Sequence, residues 1–235
     1  METSIIIRVR NEKETLSEVL QILKKQTYQD FEIVIVNDNS TDGSEEIIYE
    51  YFPKQRTQVL NIQKGKFTYP YAANLGAKKS KGKYLVLLSA HSFPITNTWL
   101  EDGLRDFTND SIAGVFAWPL SGKNGTIAEK LQFDLRNILV GSKKRIFTKP
   151  RLDLLGFTNA IIRKDLWEKH PLDEAFSKGV EDVAWAIYHI KHGYKIVQDP
   201  KFRVYHSHKL SLKKLKERRK EWKKAAPDSV LLKIQ

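Results

Sequence analysis

The chain has 235 residues, 41% of them hydrophobic and 29% charged, no cysteine, and a net charge of +12. That length can bury a sizeable core without staples, and the lack of cysteine excludes disulfides, thiolate metal sites and cysteine nucleophiles. The charge is uneven: residues 209–224 hold nine Lys or Arg against two Glu, a net of +7 that leaves +5 for the rest, so an anionic partner meets the tail first.

Residues 1–4 carry no basic start and run straight into an apolar segment, unlike a secretory leader. No apolar run approaches the ~20 residues that span a bilayer. The expectation is a cytoplasmic protein, free or held on the inner face of a membrane.

In chain order, residues 5–9 predict a first strand, and Leu16, Val19, Leu20 and Leu23 fall on one face of the following helix. Residues 31–36 are apolar and rich in β-branched side chains, as in a strand buried on both faces of a parallel sheet. A polar cluster at 37–43 precedes a helix predicted over 44–52, so the chain opens as a right-handed βαβα unit. That polar loop belongs at the carboxyl edge of the sheet, where open α/β folds bind ligands. Asp38 stands before the turn, too early to cap a helix, and is expected to meet a ligand. For Ser40 and Asp42, capping and ligand roles are both open.

Further strands are predicted over 59–62, 84–88, 113–118, 159–163, 195–198 and 203–206. Further helices are predicted from Ala72 onward, over 99–107 and over 181–190. Ile127, Leu131, Leu135, Ile138 and Leu139 suit an amphipathic helix. Residues 141–151, with Lys143, Lys144, Arg145, Lys149 and Arg151, read as a mobile basic loop. Beyond residue 210, Leu212, Leu215 and Trp222 share one helix face among many basic residues. This tail reads as a solvated helix, a nucleic-acid patch or a membrane-surface helix, and its single apolar stripe fits the last best. No nucleic-acid module accompanies it, so no nucleic-acid partner is expected.

In their order and spacing over residues 4–208, the motifs resemble the family 2 glycosyltransferases, which have the GT-A fold. Residues 36–42, VNDNSTD, stand where the family usually has V-D-D-G-S-T-D, with Asp38 matching the second Asp and Asn37 replacing the first. Residues 73–82, ANLGAKKSKG, are similar to the family's A-R-N-x-G-x-x-x-A-x-G stretch. Leu88-Ser89-Ala90-His91-Ser92 occupies the place of D-x-D or D-x-H, Gly179-Val180-Glu181-Asp182 that of the E-D motif, and residues 204–208, VYHSH, that of V-x-H-x-H.

The resemblance implies an α/β domain over 1–208, with a mostly parallel central sheet flanked by helices. It has a nucleotide-sugar half at 1–118, an acceptor half at 119–208 and a basic amphipathic tail at 209–235. It implies contacts to the donor from Arg8, Arg10, Asn11, Glu12 and Asp38, and further substrate contacts from Asn74, Ser89, Ala90, Trp118, Asn159, Glu181 and Trp185. Lys66, with Lys64, is a cation that can balance a diphosphate. Asp182 is the implied general base of an inverting transfer to a glycan or lipid-linked acceptor. The implied cofactor is Mn2+ or Mg2+ on His91 and His206. Alternation puts His206 and His208 on one face of a strand, and a metal cluster or a solvated surface pair are both readings of them. Because Asn37 and Ser89 replace acids, the contrasting reading is a catalytically weakened nucleotide-sugar-binding protein of the same fold.

Overall fold

The computed structural model describes residues 1–123, 125–176, 179–208 and 210–225, without the side chains at 140, 218, 219 and 222–225. In chain order its elements are β1 (Thr3–Val9), α1 (Lys13–Lys24), β2 (Phe31–Asn37), α2 (Ile48–Tyr51), β3 (Thr57–Asn61), α3 (Tyr69–Lys79), β4 (Tyr84–Ser89), β5 (Phe93–Pro94), α4 (Trp99–Leu104), β6 (Ile112–Phe116), α5 (Ile127–Arg136), β7 (Arg145–Phe147), β8 (Asn159–Arg163), α6 (Lys164–Lys169), α7 (Glu181–Lys191), β9 (Lys195–Gln198), β10 (Val204–Tyr205) and α8 (Leu212–Ala225).

Eight strands form one sheet in the order β3-β2-β1-β4-β8-β6-β9-β7. β8 runs antiparallel to both its neighbours and β7 antiparallel to β9, while the others share one direction. β5 and β10 pair separately as a short ribbon. The continuous apolar runs of β1 and β2 follow from cover on both faces. Ile5 and Ile7 pack with Leu16, Val19 and Leu20 of α1 on one side, and Ile6 packs with Ala72, Ala73 and Ala77 of α3 on the other. Each buried Ile, Leu or Val among them contributes roughly 1.5–3 kcal/mol by leaving water. The small residues of α3 serve this approach to the sheet: a Cβ on Gly76 would lie 2.4 Å from Ile6 Cγ2.

Four expectations are corrected. The helix foreseen over 44–52 is only the single turn of α2, because Ser44 and Asp42 hold the start of α1 instead: Glu12 N–H donates to Ser44 Oγ and Lys13 N–H to Asp42, each at 3.0 Å. α3 starts at Tyr69 rather than Ala72, since Thr68 Oγ1 accepts from Tyr71 N–H and Pro70 fits the first turn. The loop at 141–151 contains β7, and Lys144 ties it down by bridging Asp106 and Asp199. The strand foreseen over 203–206 ends at Tyr205, so His206 and His208 follow it. The Trp222 side chain, part of the expected tail stripe, lies outside the described side chains, as do residues 226–235.

α5 opens on a capping box in which Thr126 and Glu129 satisfy each other's N–H groups. It faces inward through Ala128 and Glu129, while its apolar stripe points out. A π-type turn, Asn137–Gly141, extends it toward β7.

Candidate active site

Because they run in parallel, β1, β2 and β4 deliver three polar loops to one edge of the sheet, where the α7 N-terminus and the segment after β10 also arrive. In the first loop pair, the exposed Arg10 guanidinium donates to buried Asp38 at 3.1 Å. Asn39 donates to the other Asp38 oxygen at 3.1 Å and to Ile62 O. Asn11 and Asn39 both hold left-handed backbone, with φ of 52° and 55°, and strain of this kind gathers at ligand sites. Asn11 accepts from Thr41 N–H, and its own N–H donates to Ser40 Oγ. Ser40 and Asp42 are therefore engaged in binding the two loops to each other. Asn37 donates to Glu45 and Asn61 at 2.8 Å and accepts from Ser40 N–H. An Asp there would oppose Glu45 with a like charge, which gives the replacement a structural reason.

The second group centres on Arg8. Its guanidinium donates to Phe157 O at 3.2 Å, lies 5.2 Å from the Tyr69 ring centre and stands 3.9 Å from buried Glu181. Arg8 Nη1 and Glu181 Oε2 are buried without a hydrogen-bond partner among the described residues, an arrangement native structures rarely leave unexplained. Val180, just before the acid pair, has φ of 72°, which is strained for a β-branched residue. Half-buried Asp182 accepts from Phe157 N–H at 3.1 Å and Val183 N–H at 2.7 Å. Burial pushes the Asp182 carboxyl above its usual range. Burial, with the neighbouring Asp182 charge, pushes Glu181 up to about 8.

The third group is imidazole-rich. Ligand nitrogens of His91, His206 and His208 lie within 4.8 Å of one another. His91 stacks on His206 with ring centres 4.6 Å apart. Glu12 pairs with His91 Nδ1, and Ser89 Oγ approaches that nitrogen at 3.3 Å. Ser92 Oγ lies 3.1 Å from His206 Nδ1, and His206 Nε2 lies 2.9 Å from His208 Nε2. The set fits a divalent ion: three imidazoles converge, and a carboxylate fixes one of them, as carboxylates commonly do for histidine ligands. Imidazole nitrogens suit borderline transition ions better than Mg2+ or Mn2+, which favour oxygen ligands such as the Glu12 carboxylate and the diphosphate itself.

Of the other expected contact residues, Ala90, Trp118, Asn159 and Trp185 are buried. Asn74 accepts from Trp167 Nε1 and Leu172 N–H and donates to Leu172 O. Asn159 accepts from Trp99 Nε1 and donates to Phe202 O. Trp185 donates to His170 O and Trp118 to Asp153 O. Lys66 is exposed on the loop before α3. The third imidazole and the Tyr69 contact with Arg8 were less legible: His208 is signalled by the H-x-H spacing, whereas the Phe157 backbone groups that hold Arg8 and Asp182 have no side-chain signature.

The family model described as "Glycosyl transferase family 2" matches residues 4–170. The chain is similar to an uncharacterised glycosyltransferase of Haemophilus influenzae, 28% identical over 165 residues and covering 66% of each chain. It is also similar to the poly-beta-1,6-N-acetyl-D-glucosamine synthase of Staphylococcus epidermidis, 24% identical over 212 residues, covering 78% of this chain and 49% of that one. Among solved structures it resembles the mannosyltransferase PcManGT from Pyrobaculum calidifontis in complex with GDP-Man and Mn2+. The TM-score is 0.73 at 16% identity, covering 95% of this chain and 64% of that one. The shared fold is GT-A, and the chain spans between about half and two thirds of the length of these proteins.

Proposed function

Because the chain belongs to glycosyl transferase family 2, we propose that it moves a sugar, with inversion, from a nucleotide-sugar donor to a hydroxyl of a cell-surface glycan or lipid-linked acceptor, with Asp182 as general base. The observation that carries this reading is the acid pair at the start of α7, set beside the incompletely satisfied Arg8 at the loop-bearing edge of the sheet.

In the proposed step the acceptor oxygen bonds to C1 of the donor sugar and its proton passes to Asp182. The bond from C1 to the diphosphate oxygen breaks, and its electron pair leaves with the nucleoside diphosphate. A carboxyl whose basicity is raised by burial is better matched to this transfer near neutral pH than an ordinary one. Glu181, titrating at about 8, is mostly protonated at pH 7. The Arg8 charge is then left to oppose the diphosphate rather than a neighbouring carboxylate. Arg10, Asn11 and Asp38 hold the nucleoside, and the complex of PcManGT with GDP-Man supports a donor of this class.

His91, His206 and His208 would hold a divalent ion, with Glu12 orienting His91; when bound, the ion supplies positive charge to the departing diphosphate. The basic tail is read as lying on an anionic membrane surface at the cytoplasmic face; no described helix is long and apolar enough to cross a membrane. The binding-protein alternative loses one of its two supports, since Asn37 has a structural reason for its amide.

The test pairs calorimetric nucleotide binding with single-turnover transfer across a panel of nucleotide sugars. Asp182→Asn should keep nucleotide affinity and lose transfer by ~10²- to 10⁴-fold, the range for a positioned base. Transfer at the wild-type rate would remove Asp182 from the chemistry.

A further inference from the structure

An amphipathic helix on a globular protein ordinarily buries its apolar stripe. α5 does the reverse. Ile127, Leu131 and Leu135, then Ile138 and Leu139 on the π-type turn, are between 49% and 79% exposed, while Glu129 on the inner side is fully buried. Leu212 at the start of α8, 60% exposed, extends the patch, since α8 and α5 line a common cavity through Leu212, Leu215, Ala128 and Leu131. A contiguous row of large apolar side chains of this kind marks an interaction surface.

The charge around it selects the occupant. Lys130 beside the stripe, Lys143 and Arg145 just beyond the turn, and Lys213, Lys214 and Lys216 on α8 are all exposed. Ile146, also exposed, continues the apolar character onto the edge strand β7. An apolar row flanked by lysines and arginines matches the interface of an anionic bilayer, where acyl chains accept the apolar face and headgroups meet the cations. A second copy of this chain would oppose cation to cation.

We propose that α5, the turn after it and the start of α8 form a membrane-insertion face for anionic lipid, with the lysines of the basic tail meeting the headgroups. The inner side of the same helix reaches the candidate site, because Glu129 Oε1 accepts from His208 N–H at 2.8 Å and Leu210 N–H at 3.3 Å. The docked helix would therefore hold the histidine group one helix diameter from the headgroups, within reach of a lipid-linked acceptor. The inference goes beyond the transfer reading and does not depend on it.

The chain has no cysteine, so an environment-sensitive fluorophore on Leu135→Cys reports from one place. With vesicles of phosphatidylcholine and phosphatidylglycerol its emission should shift to the blue and be quenched by nitroxide lipids. The same label on Lys79→Cys, on exposed α3 surface, should not respond. The triple variant Leu131→Gln, Ile138→Gln, Leu139→Gln should keep the wild-type melting curve, because these side chains are exposed, and lose at least tenfold in vesicle affinity. Asp182→Asn should bind vesicles as wild type does, which separates failure of this inference from failure of the catalytic one. Unchanged vesicle affinity in the triple variant would overturn the proposal. So would a blue-shifted label without lipid, whether abolished by dilution, which would indicate a second copy, or by ending the chain at Ala225, which would indicate self-coverage.

Discussion

Arg8 and Glu181 face each other 3.9 Å apart, each with a buried atom lacking a partner among the described residues. Burial raises Glu181 to about 8 from an ordinary 4.5. Between those values the folded chain holds a proton that the unfolded chain has released, so this group's contribution to stability falls as pH rises through the window. Glu181→Gln should therefore gain on wild type by on the order of 1 kcal/mol or more between pH 5 and pH 8, read by urea unfolding. An equal difference at both pH values would mean that Glu181 ionises normally. Asp38→Ala should weaken nucleoside diphosphate binding by about 1.5–3 kcal/mol, the loss of a charge-assisted hydrogen bond, measured by calorimetry. His189 presents the opposite sign. Both its ring nitrogens are buried without a partner among the described residues, and burial pushes its pKa down to about 3. Its stability contribution is complete above the unfolded value near 6.5 and is lost as pH falls toward 3. His189→Phe should be the more stable protein at pH 5, by on the order of 1 kcal/mol, with the gap narrowing at pH 7; a thermal melt at the two pH values checks this. Of these residues, Asp38 and Glu181 were legible from motif order. His189 was not, because a histidine on a helix gives no sign of whether its nitrogens find partners.

β7 shows how an element escapes a reading based on charge. Five basic residues in a short span suggested a mobile loop, but Lys144 is the partner of two acids more than thirty residues away in sequence, Asp106 and Asp199. Burial lifts Asp106 to about 6 even with Lys144 beside it. Lys144→Met keeps the apolar stem and removes the charge, and should cost ~1–3 kcal/mol, less than a fully buried pair because Lys144 is half exposed. Hydrogen exchange at residues 145–147 should accelerate in that variant; unchanged protection would mean that the ladder to β9 alone holds the strand. α5 escaped in a different way. Its 3.6-residue period fixed its helical form but not which face turns inward, because the inward choice is made by Glu129 bonding to a segment some eighty positions later. The strands β1, β2 and β4 were readable for the converse reason: burial on both faces leaves an apolar run that no local turn chemistry imitates.

At the scale of the molecule, the division of the chain at residue 118 does not divide the sheet. β8, from the second part, lies between β4 and β6 of the first and exchanges hydrogen bonds with both. A fragment of residues 1–118 leaves the inner edges of β4 and β6 unpaired and should show no stable fold by circular dichroism and proton dispersion. The 235-residue chain should unfold in one transition by two independent probes. A folded 1–118 fragment would mean that β3-β2-β1-β4 is stable without β8. The same interleaving sets a timetable during synthesis. The sheet that carries the polar loops after β1 and β2 needs β8 before β4 and β6 are paired, and His91 must wait longer still, while more than a hundred further residues are translated before His206 and His208 reach it. At ~5–20 residues per second that is an interval of several seconds or more. A chain that stops after β9 thus has every parallel strand of the sheet, and with them the polar loops, but not the second and third imidazoles.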